Sequence, residues 1–448
     1  MRSLPRTFWL KNLCIKLYFA KFQPVFPLVH AASFRPSSES ALVLLSICSL
    51  GALFVGSAGA FARGRAIFMK LNKAILASWE AYLYQGGREA LAVAQAATLG
   101  QTYGMLSGNP HDLLMTESFH GTIIAWARQA GMFRKEDADH LQAANSRDLT
   151  DPAVLESAWR SWALAEEVIR VVLALHVHDS EFAVIFHHEP LLRHDTRKLP
   201  RCCSEQLFAA TSATQWRAIA MSMASETAGS KSAEDATSQS PLMYSYGMLA
   251  GQIATICEIR GAALGDGIRA SSRDTLCLGV LWHEAFMALY VNFDLLERVI
   301  GREGPMVRDE DVQRIRAWVD EVDGRRCLMH ALFVYKRLQA LPISATPAIH
   351  VPKALFYAGL VIYCHVRFRS VASSASCSVD LDIAELRSSE LRFMTDLPSA
   401  AVHQLDSSSL YGIADLLRRQ GHWELSRRFG FILEALIDDL TDSGMDDS

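Results

Sequence analysis

The apolar positions of this chain recur at helical spacing almost from end to end, and no sustained apolar–polar alternation signals a strand. The densest stretch runs from Leu155 to Pro200. On a helix turning about 100° per residue, Trp159, Trp162, Glu166, Arg170, Leu173 and Val177 share one stripe. Val168, Ile169, Val171, Val172 and Leu175 make the other faces apolar too, so this helix is expected inside a bundle. Glu166 precedes Arg170 by four residues, the order that favours an i,i+4 ion pair, and the pair is expected to be buried.

The same patterning predicts helices at about 39–60, 62–84, 87–107 and 112–131, the central helix from Pro152, and one from Ser204 to about Met223. In the second half it predicts helices at about 242–262, 274–300, 308–321, 325–340, 350–370 and 406–440, the last broken at Gly421. Residues 1–36 are basic and aromatic. Pro24, Pro27 and Pro36 predict an extended arm whose aromatics dock on the core, with His30 capping a neighbouring backbone group. Residues 224–241 are small and polar, a loop within one helical assembly.

Half of the 448 residues are apolar and 21% are charged, enough for a large core and against global disorder. The fold class is all-α. Net charge is −4, so nothing global advertises a nucleic-acid surface. Arg2, Arg6, Lys11, Lys16 and Lys21 would give only salt-sensitive phosphate contacts. Nine scattered cysteines fit reduced thiols better than a disulfide framework. Ala41–Ala62 is 22 residues without a charge, long enough for a bilayer. Its glycines, serines and alanines leave the second half only mildly apolar, and no membrane association is expected. The start, MRSLPRTFWLKNLC, lacks the apolar core of a signal peptide.

No assembled catalytic or metal motif is present. A Cys2His2 finger needs C-x2-4-C and H-x3-5-H, and a binuclear cluster needs six cysteines close together; neither occurs. His176, His178, Asp179, His187, His188, Glu189, His194 and Asp195 cluster, but without metal-ligand spacing, and read as a polar connection between buried helices. Gly56-Ser57-Ala58-Gly59 is no nucleophile elbow. Gly265 to Ala270 matches G-x-G-x-x-A without a preceding strand, and reads as a loop. An enzyme is not expected.

Trp159, Trp162, Glu166, Arg170, Asp179, Pro190 and Leu199-Pro200 form the pattern W..W...E...R........D, Pro, Leu-Pro, which resembles the middle homology region of fungal-specific transcription factors. The arm resembles the entry to that domain at Leu17-Tyr18-Phe19, Phe22, Pro24, Phe26-Pro27, His30, Ser33-Phe34 and Pro36. HGTIIAWARQAGMF (120–133) is similar to the family as well. Residues 347–368 and 410–429 resemble the branch that carries Cys2His2 fingers.

The resemblance implies one helical regulatory domain over 17–437, its first half reaching to about 223 and its second spanning 242–437, with 438–448 an acidic tail. It implies a nuclear regulator of RNA polymerase II transcription controlling a metabolic or secondary-metabolite gene set. No cofactor is expected in this chain; zinc belongs to a missing N-terminal DNA-binding module. Promoter DNA would be reached through that module or through a partner, with homodimers, heterodimers, coactivators and a small-molecule effector as further partners. Trp159, Trp162, Glu166, Arg170, Asp179 and Pro190 are then an effector pocket or a structural signature. The alternative is an adaptor that lacks its own DNA contact and dimerises with a full-length zinc-finger factor. Glu434, Asp438, Asp439, Asp442, Asp446 and Asp447 read as a solvated helix end or a coactivator-recruiting segment.

Overall fold

A computed structural model describes residues 6–37, 40–77, 87–133, 151–195, 198–229, 240–258, 274–304, 307–342, 345–369, 407–420 and 422–443. Sixteen α-helices and no strand occur among them, so the fold is all-α. The Gly265–Ala270 match, residues 230–239 of the polar loop, and Asp446 and Asp447 lie outside the described residues. The chain forms two compact units, Met1–Phe182 with Pro190–Gly251, and Ala183–Glu189 with Gln252–Ser448.

The first unit begins with α1 (Arg6–Leu17) and a π-helical turn (Tyr18–Phe22). The arm is therefore not extended throughout. After Pro5, which precedes the helix, the next proline is Pro24, and nothing between them removes a backbone donor. Beyond the turn the chain lays Val25, Phe26, Leu28 and Val29 into the core.

α2 (Ala41–Leu53), α3 (Ala58–Ala77), α4 (Gly87–Leu106) and α5 (Pro110–Gln129) follow. α1 lies so close to α2 that a Cβ at Gly51 would come within 2.0 Å of the Cys14 carbonyl oxygen. The uncharged run does not stay helical: Gly56, at φ +72°, turns the chain between α2 and α3. No helix among the described residues is long and apolar enough to cross a membrane. Asn109 caps α5, its side chain accepting the His111 N–H at 3.0 Å.

α6 (Pro152–Phe186) is the spine of this unit, although its last turn is grouped with the second. The Asp151 carboxylate caps its start, accepting the Ala153 N–H at 2.8 Å, and Pro152 costs nothing in the first turn. Every residue from Arg170 to Val184 is buried. The helix expected over 204–223 is broken into α7 (Glu205–Phe208) and α8 (Ala213–Gly229). The break occurs because the Ser212 hydroxyl accepts the Gln215 N–H and opens a new helix. α9 is Leu242–Glu258.

The second unit holds α10 (Leu278–Tyr290), α11 (Phe293–Val299), α12 (Asp309–Asp320), α13 (Val322–Gln339), α14 (Val351–Phe368), α15 (Ser407–Arg419) and α16 (Glu424–Ser443). The single helix expected over 274–300 splits because Asn292 caps α11, accepting the Asp294 N–H at 3.1 Å. α14 is buried from Val351 to His365. Its polar residues each hold a different neighbour. His350 Nε2 bonds the Cys277 carbonyl at 3.2 Å, Lys353 Nζ pairs with Glu284 at 2.8 Å, Tyr357 donates to Glu297 at 2.8 Å, and His365 Nε2 bonds the Gly324 carbonyl at 3.0 Å.

Removing one partner of a buried pair strands the other charge. Lys353→Ala is expected to cost about 3–5 kcal/mol, read from chemical denaturation, whereas replacing Lys353 and Glu284 together by apolar residues of similar volume should cost much less.

Candidate functional site at the central helix

The expected Glu166–Arg170 pair is present and fully buried, Arg170 Nε donating to Glu166 Oε1 at 2.9 Å. The pair also grips a distant backbone. Glu166 Oε1 accepts the Cys203 N–H at 2.9 Å, and Arg170 Nη2 donates to the Cys203 carbonyl at 3.1 Å. Two charges thus replace the strand or helix partner that residue 203 lacks. The Arg170 guanidinium sits 3.9 Å above the Phe208 ring, a cation–π contact that covers the charge from a further side.

Asp179 does the same two turns and more along α6. Its Oδ1 accepts from His120 Nε2 at 3.1 Å and the Leu191 N–H at 3.0 Å. Its Oδ2 accepts the Leu192 N–H at 2.8 Å and His194 Nε2 at 3.1 Å. Pro190, immediately before those two amides, has no N–H of its own to satisfy. Because the carboxylate only accepts, His120 and His194 carry their proton on Nε2. The network then runs inward: Gln101 Nε2 donates to His120 Nδ1 at 2.9 Å, and His178 lies 3.2 Å from Gln101 Oε1 and 3.1 Å from the Thr102 hydroxyl. Outward, His194 meets His176 at 3.5 Å between Nδ1 atoms.

Burial alone would raise the Asp179 carboxyl, but the bonds from His120, His194 and Leu192 outweigh it and hold it below the usual carboxylate range. Burial, then the neighbouring His194, brings His176 down to about 4, and burial with His120 brings His178 to about 3.

Trp159 and Trp162 line the N-terminal half of the site with Trp216, whose ring lies 5.4 Å from that of Trp162. His30 inserts its ring 5.4 Å from Trp159 and 5.2 Å from Phe208; its Nδ1 lies 2.7 Å from the Ser33 hydroxyl, and the ring also bonds the backbone of Ala210. The arm's backbone is held from α6 as well, where Glu167 Oε1 accepts the His30 N–H at 2.7 Å. Gln95 Nε2 donates to the Leu28 carbonyl at 3.0 Å. Sequence reasoning singled out neither Glu167 nor Gln101. The available signal was a polar residue at an otherwise apolar core position.

The eight residues of the His/acid cluster do not meet at one point: His176, His178, Asp179 and His194 join the network, whereas His187 lies 3.4 Å from Glu297 in the second unit. Among the described residues, no three His, Cys, Asp or Glu side chains are placed to hold a metal ion. Burial pushes the Cys202 thiol up to about 12 and Cys203 well above its ordinary value, so neither is an activated nucleophile at neutral pH. Arg418, Arg419 and Arg427 pair with Glu434, Asp415 and Glu424, which spends their charge on neighbouring acids.

Residues 15–246, just over half the chain and including every signature position, match the fungal specific transcription factor domain. The chain belongs to that family. A "Transcription factor" of Gibberella fujikuroi is 23% identical over 381 residues, covering 79% of this chain and 47% of that protein. "Zinc finger protein klf1" of Schizosaccharomyces pombe is 24% identical over 210 residues, 46% of this chain and 26% of that protein. The "Nicotinate catabolism cluster-specific transcription factor" of Emericella nidulans is 24% identical over 204 residues, 45% and 22% respectively. The chain thus spans about half the length, or less, of these relatives. No solved structure matches. In this member of the family the charged signature residues Glu166, Arg170 and Asp179 are buried and hydrogen-bonded to backbone.

Two outcomes follow. Glu166→Ala leaves Arg170 buried and unpaired and frees Cys203, and is expected to cost about 3–5 kcal/mol by denaturant unfolding. His176 and His178 stay neutral in the fold but charge below about pH 6.5 once unfolded, so the unfolded chain binds the extra protons. Stability is full above about pH 6.5 and falls as pH drops toward 4, which the melting temperature between pH 7.5 and 4.5 will show.

Proposed function

We propose that this chain is the regulatory domain of a nuclear regulator of RNA polymerase II transcription, controlling a metabolic or secondary-metabolite gene set. The observation that carries the reading is the family match over residues 15–246, with the signature Glu166, Arg170 and Asp179 assembled inside it. Nothing in that arrangement does covalent chemistry. Its charged groups are committed to each other and to backbone, as a scaffold requires, and the chain acts by contacts and not by turnover. Promoter DNA is reached through a zinc-binding module outside these residues. The alternative is an adaptor that dimerises with a full-length zinc-finger factor and modulates it.

Trp159, Trp162, Glu166, Arg170, Asp179 and Pro190 serve as a structural signature that fixes the segment following α6. A second reading places an effector pocket there, and one observation favours it: among the described residues, the indole N–H groups of Trp159, Trp162 and Trp216 and Nη1 of Arg170 have no hydrogen-bond partner. The two readings differ for Glu166→Ala. The signature reading expects a lowered melting temperature; an unchanged melting temperature together with a lost thermal response to a small carboxylate such as benzoate would establish the pocket instead.

Tethering the chain to a promoter through a foreign DNA-binding domain is expected to change reporter transcription in a fungal host. No change in either direction would contradict a regulatory domain. Mapping the 5′ end of the transcript separates activator from adaptor: an upstream frame encoding C-x2-4-C and H-x3-5-H marks the first, and initiation at Met1 the second.

A further inference from the structure

We propose that the arm is seated on α6 with Glu167 and His30 both uncharged, so that docking exchanges a carboxylate and an imidazolium for their neutral forms without net gain or loss of protons. Glu167 is buried, and no Lys or Arg among the described residues forms an ion pair with it, unlike Glu166 beside it. It receives the His30 N–H at 2.7 Å. The groups facing it are Gln95 and, at longer range, Arg88 from α4, and the buried Tyr18 hydroxyl from the π-helical turn, which has no hydrogen-bond partner among the described residues. A carboxylate there would be desolvated without a counter-ion. His30, wholly buried, faces Trp159, Trp162 and Phe208, with the Arg170 cation nearby and the Ser33 hydroxyl on Nδ1. An imidazolium there would be desolvated beside a like charge, which the Ala210 backbone bond only partly offsets.

The electrostatics agree with the geometry. Burial, partly offset by the His30 N–H, Gln95 and Arg88, raises Glu167 to about 7, and burial with Arg170 lowers His30 to about 4. Once the arm lifts, both groups return toward their ordinary values near 4.5 and 6.5. Between those two values the free pair holds one proton, on His30, and the seated pair holds one, on Glu167. Acidification favours the seated arm through Glu167 and opposes it through His30, with equal and opposite slopes. The arm is therefore buffered against pH, although the Asp179 network behind it is not.

Hydrogen exchange of amides 22–34, corrected for intrinsic rates, measures arm opening between pH 7.5 and 5. The wild type is expected to change by no more than about threefold. Glu167→Gln keeps the acceptor for the His30 N–H but removes the proton site, so acidification should loosen the arm by about thirtyfold. His30→Asn keeps a donor for Ser33, and acidification should then tighten the arm by about fiftyfold. If Glu167→Gln follows the wild-type profile, or if His30→Asn stays flat, the proposal is overturned. Should Glu167→Gln fail to fold at pH 7.5 by circular dichroism, His30→Asn decides alone.

Discussion

A helix buried on every side satisfies its own backbone, but the irregular segments packed against it do not satisfy theirs. Those segments carry N–H and C=O groups into a place where water cannot reach, and each left unpaired costs free energy comparable to a lost hydrogen bond. The rest of this structure depends on how α6 and α14 meet that demand. They do it with side chains. Glu166 and Arg170 take both backbone groups of Cys203, Asp179 takes the amides of Leu191 and Leu192, and Glu167 takes that of His30. In the second unit His350, just before α14, and His365 on it add bonds to carbonyls at helix starts, Cys277 before α10 and Gly324 in α13.

This explains why charged residues recur on helices that otherwise belong in a core. A buried ion pair is a weak source of stability when compared with an apolar replacement. Here the charges are retained because a backbone amide can be satisfied only by an acceptor, and a carboxylate can accept several donors at once. Asp179 accepts four. The same arrangement limits what the site can do as chemistry. Asp179 is saturated, Glu166 is paired with Arg170, burial holds His176 and His178 neutral, and the Cys202 and Cys203 thiols are protonated.

Much of this was legible in the sequence. Helical spacing gave the all-α class and most helix positions, and the i,i+4 order of Glu166 and Arg170 gave their pairing. Two helices were merged in prediction, over 204–223 and 274–300, because the caps at Ser212 and Asn292 each interrupt an apolar pattern that runs on unchanged. The arm's prolines at 24, 27 and 36 lie beyond α1 and do not restrict its residues, so the arm starts as a helix. The backbone grips were not legible at all. Glu166 and Cys203 are joined across 37 positions, and His30 and Glu167 across 137, and no local period encodes such a partner. The resemblance over 347–368 gains a physical reading in α14, where His350 and Lys353 hold α10, Tyr357 holds α11 and His365 holds α13.

The most direct test of the account is native-state hydrogen exchange at three amides outside any helix: Leu191, Leu192 and Cys203. Side-chain anchoring predicts protection close to that of the buried turns of α6, lost at Cys203 in Glu166→Ala and at the two leucines in Asp179→Ala. Exchange at the rate of an exposed loop in the wild-type protein would contradict it.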